Sequence, residues 1–202
     1  PSPTPFVPDV ETFLSLIGRD MSKHASKFSS WESLFSLTSS ELRDLGIEPA
    51  RQRRYLLRQR EKFKNGIYGP GGDLDTVVNG VAQLRVVEVP TNSTNQDTQP
   101  IASATLTPGM RKLIVNLPPD VEHYEHKGSS VIQKFAHMKI HRGSMLKGPY
   151  LQVIKGTNGS AALIKATEGM WEDKRGQKVD GGERRRAEVR AKKRSAERRL
   201  AS

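Results

Sequence analysis

The apolar residues at the start of the chain recur with the period of a helix. Positions at i, i+3, i+4 and i+7 predict one helix face made of Val10, Phe13, Leu14 and Ile17. Asp9 lies directly before this run, where an N-cap side chain is expected, and Gly18 directly follows it as a stop. The pattern therefore predicts a short amphipathic helix over 10–17.

Two capping-box patterns predict two more short helices. Ser29 precedes Glu32 and Thr38 precedes Glu41, so each hydroxyl stands three residues before a carboxylate. Together with a longer helix that follows them, these signals predict four or five short helices over 9–70, a small helical bundle.

The longer helix is predicted over 51–64, with a stop at Asn65 and Gly66. At 100° per residue, the residues expected to face the core are Leu56, Phe63 and Ile67. The opposite face carries four cations, called here the basic ridge: Arg51, Arg54, Arg58 and Lys62. Three further cations are expected nearer the core boundary: Arg53, Arg60 and Lys64.

The basic ridge has the composition of a phosphate-binding surface. Arginine offers a planar fork of donors and lysine a point charge, and both suit the phosphates of an RNA helix. The alternative is a solvated helix face, but such faces usually interleave acids. Glu61 is the only acid between Arg51 and Lys64. We therefore expect the ridge to contact phosphates.

Two segments of the helical part resemble a known family. Residues 13–19, Phe-Leu-Ser-Leu-Ile-Gly-Arg, match the Phe-Leu-x-x-Ile-Gly-Arg signature of the IGR-motif family, whose last three residues are here Ile17, Gly18 and Arg19. Residues 42–47, Leu-Arg-Asp-Leu-Gly-Ile, are similar to the closing half of a sterile-alpha-motif-like helical domain. The resemblance covers about a third of the chain.

The resemblance carries expectations about place, partners and chemistry. Proteins of this family are components of the small subunit of mitochondrial ribosomes and are best known in fungi. The resemblance therefore implies localisation in the mitochondrial matrix, with small-subunit rRNA and neighbouring ribosomal proteins as partners. It implies no catalysis, no cofactor and no small-molecule substrate. Arg19 is an expected RNA contact, although a cation at a helix end can also simply complement the helix dipole. Gly18 can likewise have a purely structural role, because glycine adopts a positive φ without steric cost.

The pattern changes to a period typical of strands after residue 72. Residues 74–89 are rich in valine and predict one or two strands, and 113–117 predict another. The segments 150–155 and 161–166 flank a Gly-Thr-Asn-Gly-Ser turn and predict a hairpin. Residues 91–100 are predicted to form a polar loop. A small, partly open sheet is expected.

Positive charge is concentrated at the C-terminus. Residues 174–202 carry twelve Lys and Arg against four Asp and Glu, which is +8 of the chain's net charge of +11. As a helix from Glu183, the tail would display cations around most of its circumference: Arg184, Arg185, Arg186, Arg190, Lys192, Lys193, Arg194, Arg198 and Arg199. Its thin apolar stripe is Val189, Ala196 and Leu200. We expect a helical or disordered tail that binds RNA phosphates with strong salt dependence, the alternative being a solvated tail.

Other kinds of site find little support. The chain has no cysteine, which excludes disulfides and thiolate ligands, and no apolar run approaches the roughly 20 residues of a membrane span. The histidine pairs His123 with His126 and His137 with His141 could ligate zinc only if the chain folded back, and no metal site is expected. The chain begins at Pro1 without an initiator Met, which is consistent with a processed or trimmed product.

The sequence thus predicts four regions: an arm over 1–8, a mainly α sterile-alpha-motif-like bundle over 9–70, an extension with short strands over 71–172, and a basic tail over 173–202. The predicted function is a structural constituent of the mitochondrial small ribosomal subunit that binds rRNA and neighbouring proteins. The alternative is a DNA- or protein-binding helical adaptor with a non-specific basic tail.

Overall fold

The computed structural model describes residues 1–91, 104–126, 133–174, 177–178 and 181–200. These residues fall into two compact units. The regions that the structure describes contain no helix that is long and apolar enough to cross a lipid bilayer.

The two units do not follow the order of the chain. The helical unit comprises Pro1, Asp9–Ile67 and Thr167–Ser202, and the sheet unit comprises Ser2–Pro8 and Tyr68–Ala166. The sequence analysis divided the chain into consecutive regions, whereas the helical unit joins Asp9–Ile67 with Thr167–Ser202. Periodicity finds elements but does not show which elements pack together.

The first residues of the chain pack within the sheet unit. Phe6 and Val7 are wholly buried. The ring of Phe6 lies so close to Gly71 that a Cβ at that position would come within 2.7 Å of the ring. The segment expected as an arm is therefore anchored by an aromatic side chain.

The helical unit contains short helices joined by tight turns, as predicted. Its helices are α1 Val10–Ile17, a 3₁₀-helix Met21–Lys27, α2 Trp31–Ser36, α3 Ser39–Asp44, α4 Ala50–Lys64 and α5 Gly181–Leu200. The predicted helices over 10–17 and 51–64 are confirmed to within a residue. The 3₁₀-helix has no strong apolar period and was not predicted.

The structure confirms two of the predicted helix caps and corrects one. The Asp9 side chain accepts the first-turn N–H of α1, and Thr38 and Glu41 form the predicted capping box of α3. The expected box of Ser29 with Glu32 is wrong. In its place, Ser30 and Ser33 form the box of α2.

An aromatic cluster forms the core of the helical unit. Phe13, Trp31, Phe35 and Phe63 meet with ring centroids 4.9–6.1 Å apart. Burial of Leu56 and Phe63 confirms the predicted core face of α4. Ile67 was expected there too but is 62% exposed. The chain leaves the helix at Asn65, so the helical projection does not extend to Ile67.

The sheet unit is built on an antiparallel sheet with the order β2-β1-β6-β5. The strands of the described residues are β1 Val81–Pro90, β2 Met110–Leu117, β3 Lys139–His141, β4 Met145–Lys147, β5 Leu151–Val153, β6 Ala161–Lys165, β7 Asp173–Lys174 and β8 Gln177–Lys178. The predicted strand over 113–117 and the hairpin of β5 with β6 are confirmed. The region 74–89, predicted to hold one or two strands, contains one strand, β1, which begins only at Val81.

Some parts of the extension were not predicted from the sequence, and others lie outside the residues that the structure describes. The hairpin of β3 with β4 was not predicted, since its strands have three residues each. The polar loop expected over 91–100 lies, after residue 91, outside the described residues. Strands β7 and β8 follow the extension, belong to the helical unit and pair over two residues each.

Candidate nucleic-acid interface

Helix α4 separates a buried face from an exposed one. Tyr55, Leu56 and Phe63 are buried, while Arg51 and Arg54 are exposed. The separation follows the 3.6-residue period of the sequence. The structure thus gives α4 an outward face that begins with two arginines.

Two other arginines of α4 are used within the helical unit. Arg60 is 5% exposed and donates hydrogen bonds to the carbonyl oxygens of Phe35 and Leu37. Arg53 donates to the carbonyl oxygen of Ile47 at 2.9 Å and pairs with Glu48 at 2.7 Å. Both guanidinium groups hold loops against the helix, which agrees with their expected place near the core boundary. Lys64, expected there as well, is exposed.

The C-terminal half of the basic ridge meets an acid that the sequence analysis missed. Asp173 accepts hydrogen bonds from Arg58 at 2.6 Å, Gln59 at 2.6 Å and Lys62 at 2.9 Å. Its side chain is 8% exposed, whereas those of Arg58 and Lys62 are 45% and 36% exposed. Burial alone would raise the pKa of Asp173, but the hydrogen bond and charge of Lys62 and the charge of Arg58 outweigh it and lower the pKa. Asp173 is therefore ionised and partly neutralises the ridge.

Arg19 is also held by groups of the helical unit. Its guanidinium carbon lies 3.8 Å from the ring centroid of Tyr55, a cation–π contact. It donates to the carbonyl oxygen of Asp173 and lies 3.8 Å from a carboxylate oxygen of Glu172. The structure thus gives Arg19 a packing role beyond the expected complement to the helix dipole.

Tyr55 also holds the turn that follows α1, through a hydrogen bond to Ile17. Its hydroxyl donates to the carbonyl oxygen of Ile17 at 2.6 Å. Burial raises the pKa of Tyr55 to about 12, although the charge of Arg19 opposes the rise. The phenol is therefore neutral at physiological pH and keeps its donor.

Gly18 permits a close approach at the same turn. Its φ is +68°, in the region that favours glycine. A Cβ here would lie 2.8 Å from a carboxylate oxygen of Glu172 and 2.8 Å from the Cα of Gly169. The motif residues Ile17, Gly18 and Arg19 therefore all contact other parts of the helical unit.

Arg51 and Arg54 remain as the cations without an acid partner at this surface. Among the described residues, no carboxylate forms an ion pair with either of them. Arg51 lies in the first turn of α4, which has no acid and no side-chain cap, so its positive charge is unfavourable to the helix at that end.

The two arginines line an open cleft with a volume of about 1150 Å³. The residues around it are Arg19, Asp20, Arg51, Gln52, Arg54, Arg58 and Glu172. Four cations face two anions, so the cleft has a positive balance. Its chemistry fits a bound anion better than an apolar ligand.

The C-terminal helix is a second cationic surface. The tail, which was expected to be helical or disordered, contains helix α5. Its exposed cations are Arg186, Arg190, Lys192, Lys193, Arg194, Arg198 and Arg199. The side chains of Arg184 and Arg185 lie outside the described part. Val189 and Leu200 of the thin apolar stripe are 58% and 89% exposed, so burial of the stripe does not stabilise the helix.

The histidines do not assemble a metal site in the described part of the chain, where no group of three or more potential ligands could hold an ion. The residues that sequence reasoning missed are Tyr55, Glu172 and Asp173. The two acids lie more than 100 residues after α4, and no local pattern links them to it. Tyr55 lies directly before the buried Leu56, and this position was the sequence signal that could have placed its ring against the core.

Comparison with known proteins agrees with this architecture. A family model described as the sterile-alpha-motif domain of small ribosomal subunit protein mS41 matches residues 1–66. A Neurospora crassa protein named small ribosomal subunit protein mS41 is 51% identical over 199 residues, which are 98% of this chain and 76% of that protein. Proteins of the same name from Candida glabrata and Yarrowia lipolytica are 46% identical over 67 residues and 52% identical over 56 residues. These cover 33% and 28% of this chain, and 53% and 47% of those proteins.

The match to the Neurospora protein extends well beyond the helical domain that the family model covers. Identity of 51% along almost the whole chain includes the sheet unit and the basic tail as well. The chain belongs to the family of small ribosomal subunit protein mS41.

Proposed function

We propose that this protein is a structural constituent of the small subunit of the mitochondrial ribosome, where it binds rRNA and neighbouring ribosomal proteins and so supports mitochondrial translation. Membership of the mS41 family supports the ribosomal role. The mitochondrial matrix is the corresponding location. The physical properties of two surfaces of the helical unit support the contact with RNA.

The observation that carries the proposal is the exposed pair Arg51 and Arg54. Both face the cleft, and neither is neutralised by a described carboxylate. Phosphate oxygens accept two parallel hydrogen bonds from one guanidinium group, which makes arginine well suited to an RNA backbone. We propose that these two side chains bind rRNA phosphates directly.

The other cations of the surface have a smaller proposed share. Arg58 and Lys62 keep exposed surface but already bind Asp173, and Arg19 stacks on Tyr55. A phosphate near Arg58 or Lys62 competes with a buried, ionised carboxylate. We propose that Arg19, Arg58 and Lys62 add long-range attraction, while Arg51 and Arg54 make the closest contacts.

The exposed cations of α5 supply the sequence-independent part of the affinity. Each phosphate that a Lys or Arg neutralises releases condensed counterions, so binding by α5 is strongly salt-dependent. A helix with cations around most of its surface fits a groove or junction where phosphates surround it. We propose that α5 inserts among rRNA phosphates in this way.

The test is co-sedimentation with mitochondrial small subunits in high salt. The full-length chain is expected to stay with the subunit, and Arg51→Ala with Arg54→Ala is expected to dissociate at lower salt. A matched control is Arg43→Ala with Lys64→Ala, which removes the same charge from exposed positions outside the cleft. The control is expected to stay bound.

Other outcomes separate the alternatives. A DNA binder or a tethered adaptor would leave the subunit in high salt even with its wild-type sequence. Equal retention of the cleft variant and the wild type would show that Arg51 and Arg54 are only solvated. The helical unit would then dock by another surface.

A further inference from the structure

A short segment from late in the chain completes the helical unit. Residues 167–173, called here the strap, lie outside the region that the family model matches. The N–H of Gly169 donates to the carbonyl oxygen of Ser15, and that of Trp171 donates to the carbonyl oxygen of Leu16, both at 2.8 Å. Both acceptors belong to the last turn of α1, where helix carbonyls run out of partners within the helix. The carbonyl oxygen of Ser15 also accepts the N–H of Gly18 at 3.0 Å, so the strap gives it a second donor. The strap therefore adds two backbone hydrogen bonds at the C-terminal end of α1.

Side chains of the strap add a hydrophobic and an ionic anchor. Met170 is wholly buried and Trp171 is 8% exposed, with its ring centroid 6.3 Å from that of Phe63. Asp173 closes the strap on α4 through Arg58 and Lys62. The strap is thus held at both ends, by α1 and by α4.

The strap also fixes where the basic helix begins. Helix α5 starts at Gly181, eight residues after Asp173, and the pairing of β7 with β8 brings Lys178 beside Asp173. The connection is therefore shorter than the roughly 28 Å that eight extended residues would span. The 20 residues of α5 add about 30 Å. Glu172, the neighbour of Asp173, itself lines the arginine cleft. The root of α5 is therefore tethered within a short reach of Arg51 and Arg54.

We propose that the strap anchors the basic helix beside the arginine cleft, so that α5 and the cleft bind one RNA chain as a bivalent unit. This inference rests on the proposed function. Once one of the two sites holds the RNA, the other site meets it at an effective concentration that the length of the connection sets. A firm root and a short connection keep that concentration high without any further contact.

The substitution Asp173→Asn distinguishes anchoring of α5 by the strap from a simple effect of charge on RNA affinity. The substitution removes a negative charge from a cationic surface and frees Arg58 and Lys62, so attraction alone would tighten RNA binding. If the strap anchors α5, its release weakens binding by about tenfold, since the bivalent gain is lost. The matched control is Asp20→Asn, which removes a carboxylate from the same cleft but leaves the strap intact. It is expected to tighten binding a few-fold.

A second variant leaves the fold and all charges unchanged. Insertion of about 30 Gly and Ser residues between Val179 and Asp180 lengthens the connection between Asp173 and Gly181 from seven residues to about 37. Effective concentration falls roughly as the −3/2 power of length, so affinity is expected to fall about tenfold. The same insertion after Leu200 is the control and is expected to have no effect.

The measurement is the dissociation constant of the full chain with a small-subunit rRNA fragment at fixed salt. Each variant must first show the same tryptophan fluorescence as the wild type, which verifies that its helical unit is folded. Tighter binding by Asp173→Asn, or unchanged binding after the internal insertion, would overturn the bivalent arrangement. In either case wild-type binding would still support the proposed function. Absence of rRNA binding by the wild type would contradict the proposed function itself.

Discussion

At the scale of residues, identical side chains do different work according to what surrounds them. Arg54 and Arg60 lie on the same helix, but Arg54 is exposed whereas Arg60 is 5% exposed and holds two carbonyl oxygens. Burial lowers the pKa of Arg60, yet an arginine retains its charge at any physiological pH. The guanidinium of Arg60 is therefore a structural cross-link, whereas that of Arg54 is available to a ligand.

Asp173 gives a pH-dependent prediction at this scale. Its pKa in the folded protein is lowered from the usual 3.8, so its ion pairs stabilise the fold above that pH, and the contribution is lost as pH falls through the lower folded pKa. At pH 7, Asp173→Asn is expected to reduce the free energy of unfolding by about 1 to 3 kcal/mol. The difference between variant and wild type is expected to shrink below pH 4.

Chemical denaturation followed by tryptophan fluorescence measures this effect. Both tryptophans, Trp31 and Trp171, belong to the helical unit, so the signal reports on its unfolding. Asp20→Asn serves as a control, because its partner Lys23 lies 4.0 Å away and both side chains are mostly exposed. Exposed pairs of this kind contribute little. A difference for Asp173→Asn that stays constant down to pH 2 would contradict the assignment.

At the scale of elements, each helix carries its boundary signals in its own sequence. Helix α3 begins at the box of Thr38 with Glu41 and ends where Gly46 takes a left-handed φ. The N–H of Ile47 donates back to the carbonyl oxygen of Leu42. This arrangement satisfies end carbonyls and buries an apolar residue after the turn. Such signals are local, which explains why most helix ends were predicted.

Helix α2 provides a prediction at this scale, because two adjacent serines precede it. Ser30 caps the helix, whereas the side chain of Ser29 is exposed and makes no hydrogen bond recorded in the described structure. Ser30→Ala is expected to destabilise the helical unit by about 1 kcal/mol, and Ser29→Ala by less than about 0.5 kcal/mol. Thermal unfolding of both variants checks this. If Ser29→Ala destabilised the unit more than Ser30→Ala, the cap would be Ser29, as the sequence pattern predicted.

At the scale of the whole molecule, covalent order and spatial order differ. The helical unit takes the strap, residues 167–173, from a part of the chain that follows the entire sheet unit. Closing so long a loop costs entropy that grows only slowly with loop length. Hydrogen bonds, the buried Trp171 and the ion pairs of Asp173 offset that cost. A fragment that ends near residue 66 is consequently missing part of its own fold.

Removal of the tail tests whether its cations neutralise rRNA phosphates. Deletion of residues 183–202 is expected to weaken binding to rRNA and to reduce the slope of log affinity against log salt, since fewer counterions are released. Leu200→Ser is the control, because it alters the tail at an 89% exposed position and keeps every charge. The control is expected to reproduce the wild-type slope. If deletion leaves the slope unchanged, the tail does not neutralise phosphates.

The sequence by itself determined the features that depend on neighbours along the chain. Periodicity placed α1 and α4, set Leu56 and Phe63 against the core and turned Arg51 and Arg54 outward. These results follow from the geometry of a single helix, which tertiary contacts did not override. The IGR-motif resemblance identified the family for the same reason, since its signature is a contiguous run.

Only the tertiary structure decided which cations are free. Arg58 and Arg54 are equivalent in a helical projection, but Asp173 lies against one and not the other. Gly18 was expected to serve its own φ, but the approach of Gly169 also requires a residue without a Cβ there. These partners lie more than 100 residues away along the chain. Periodicity and capping describe a segment against water, whereas burial and ion pairing depend on which distant segment replaces that water.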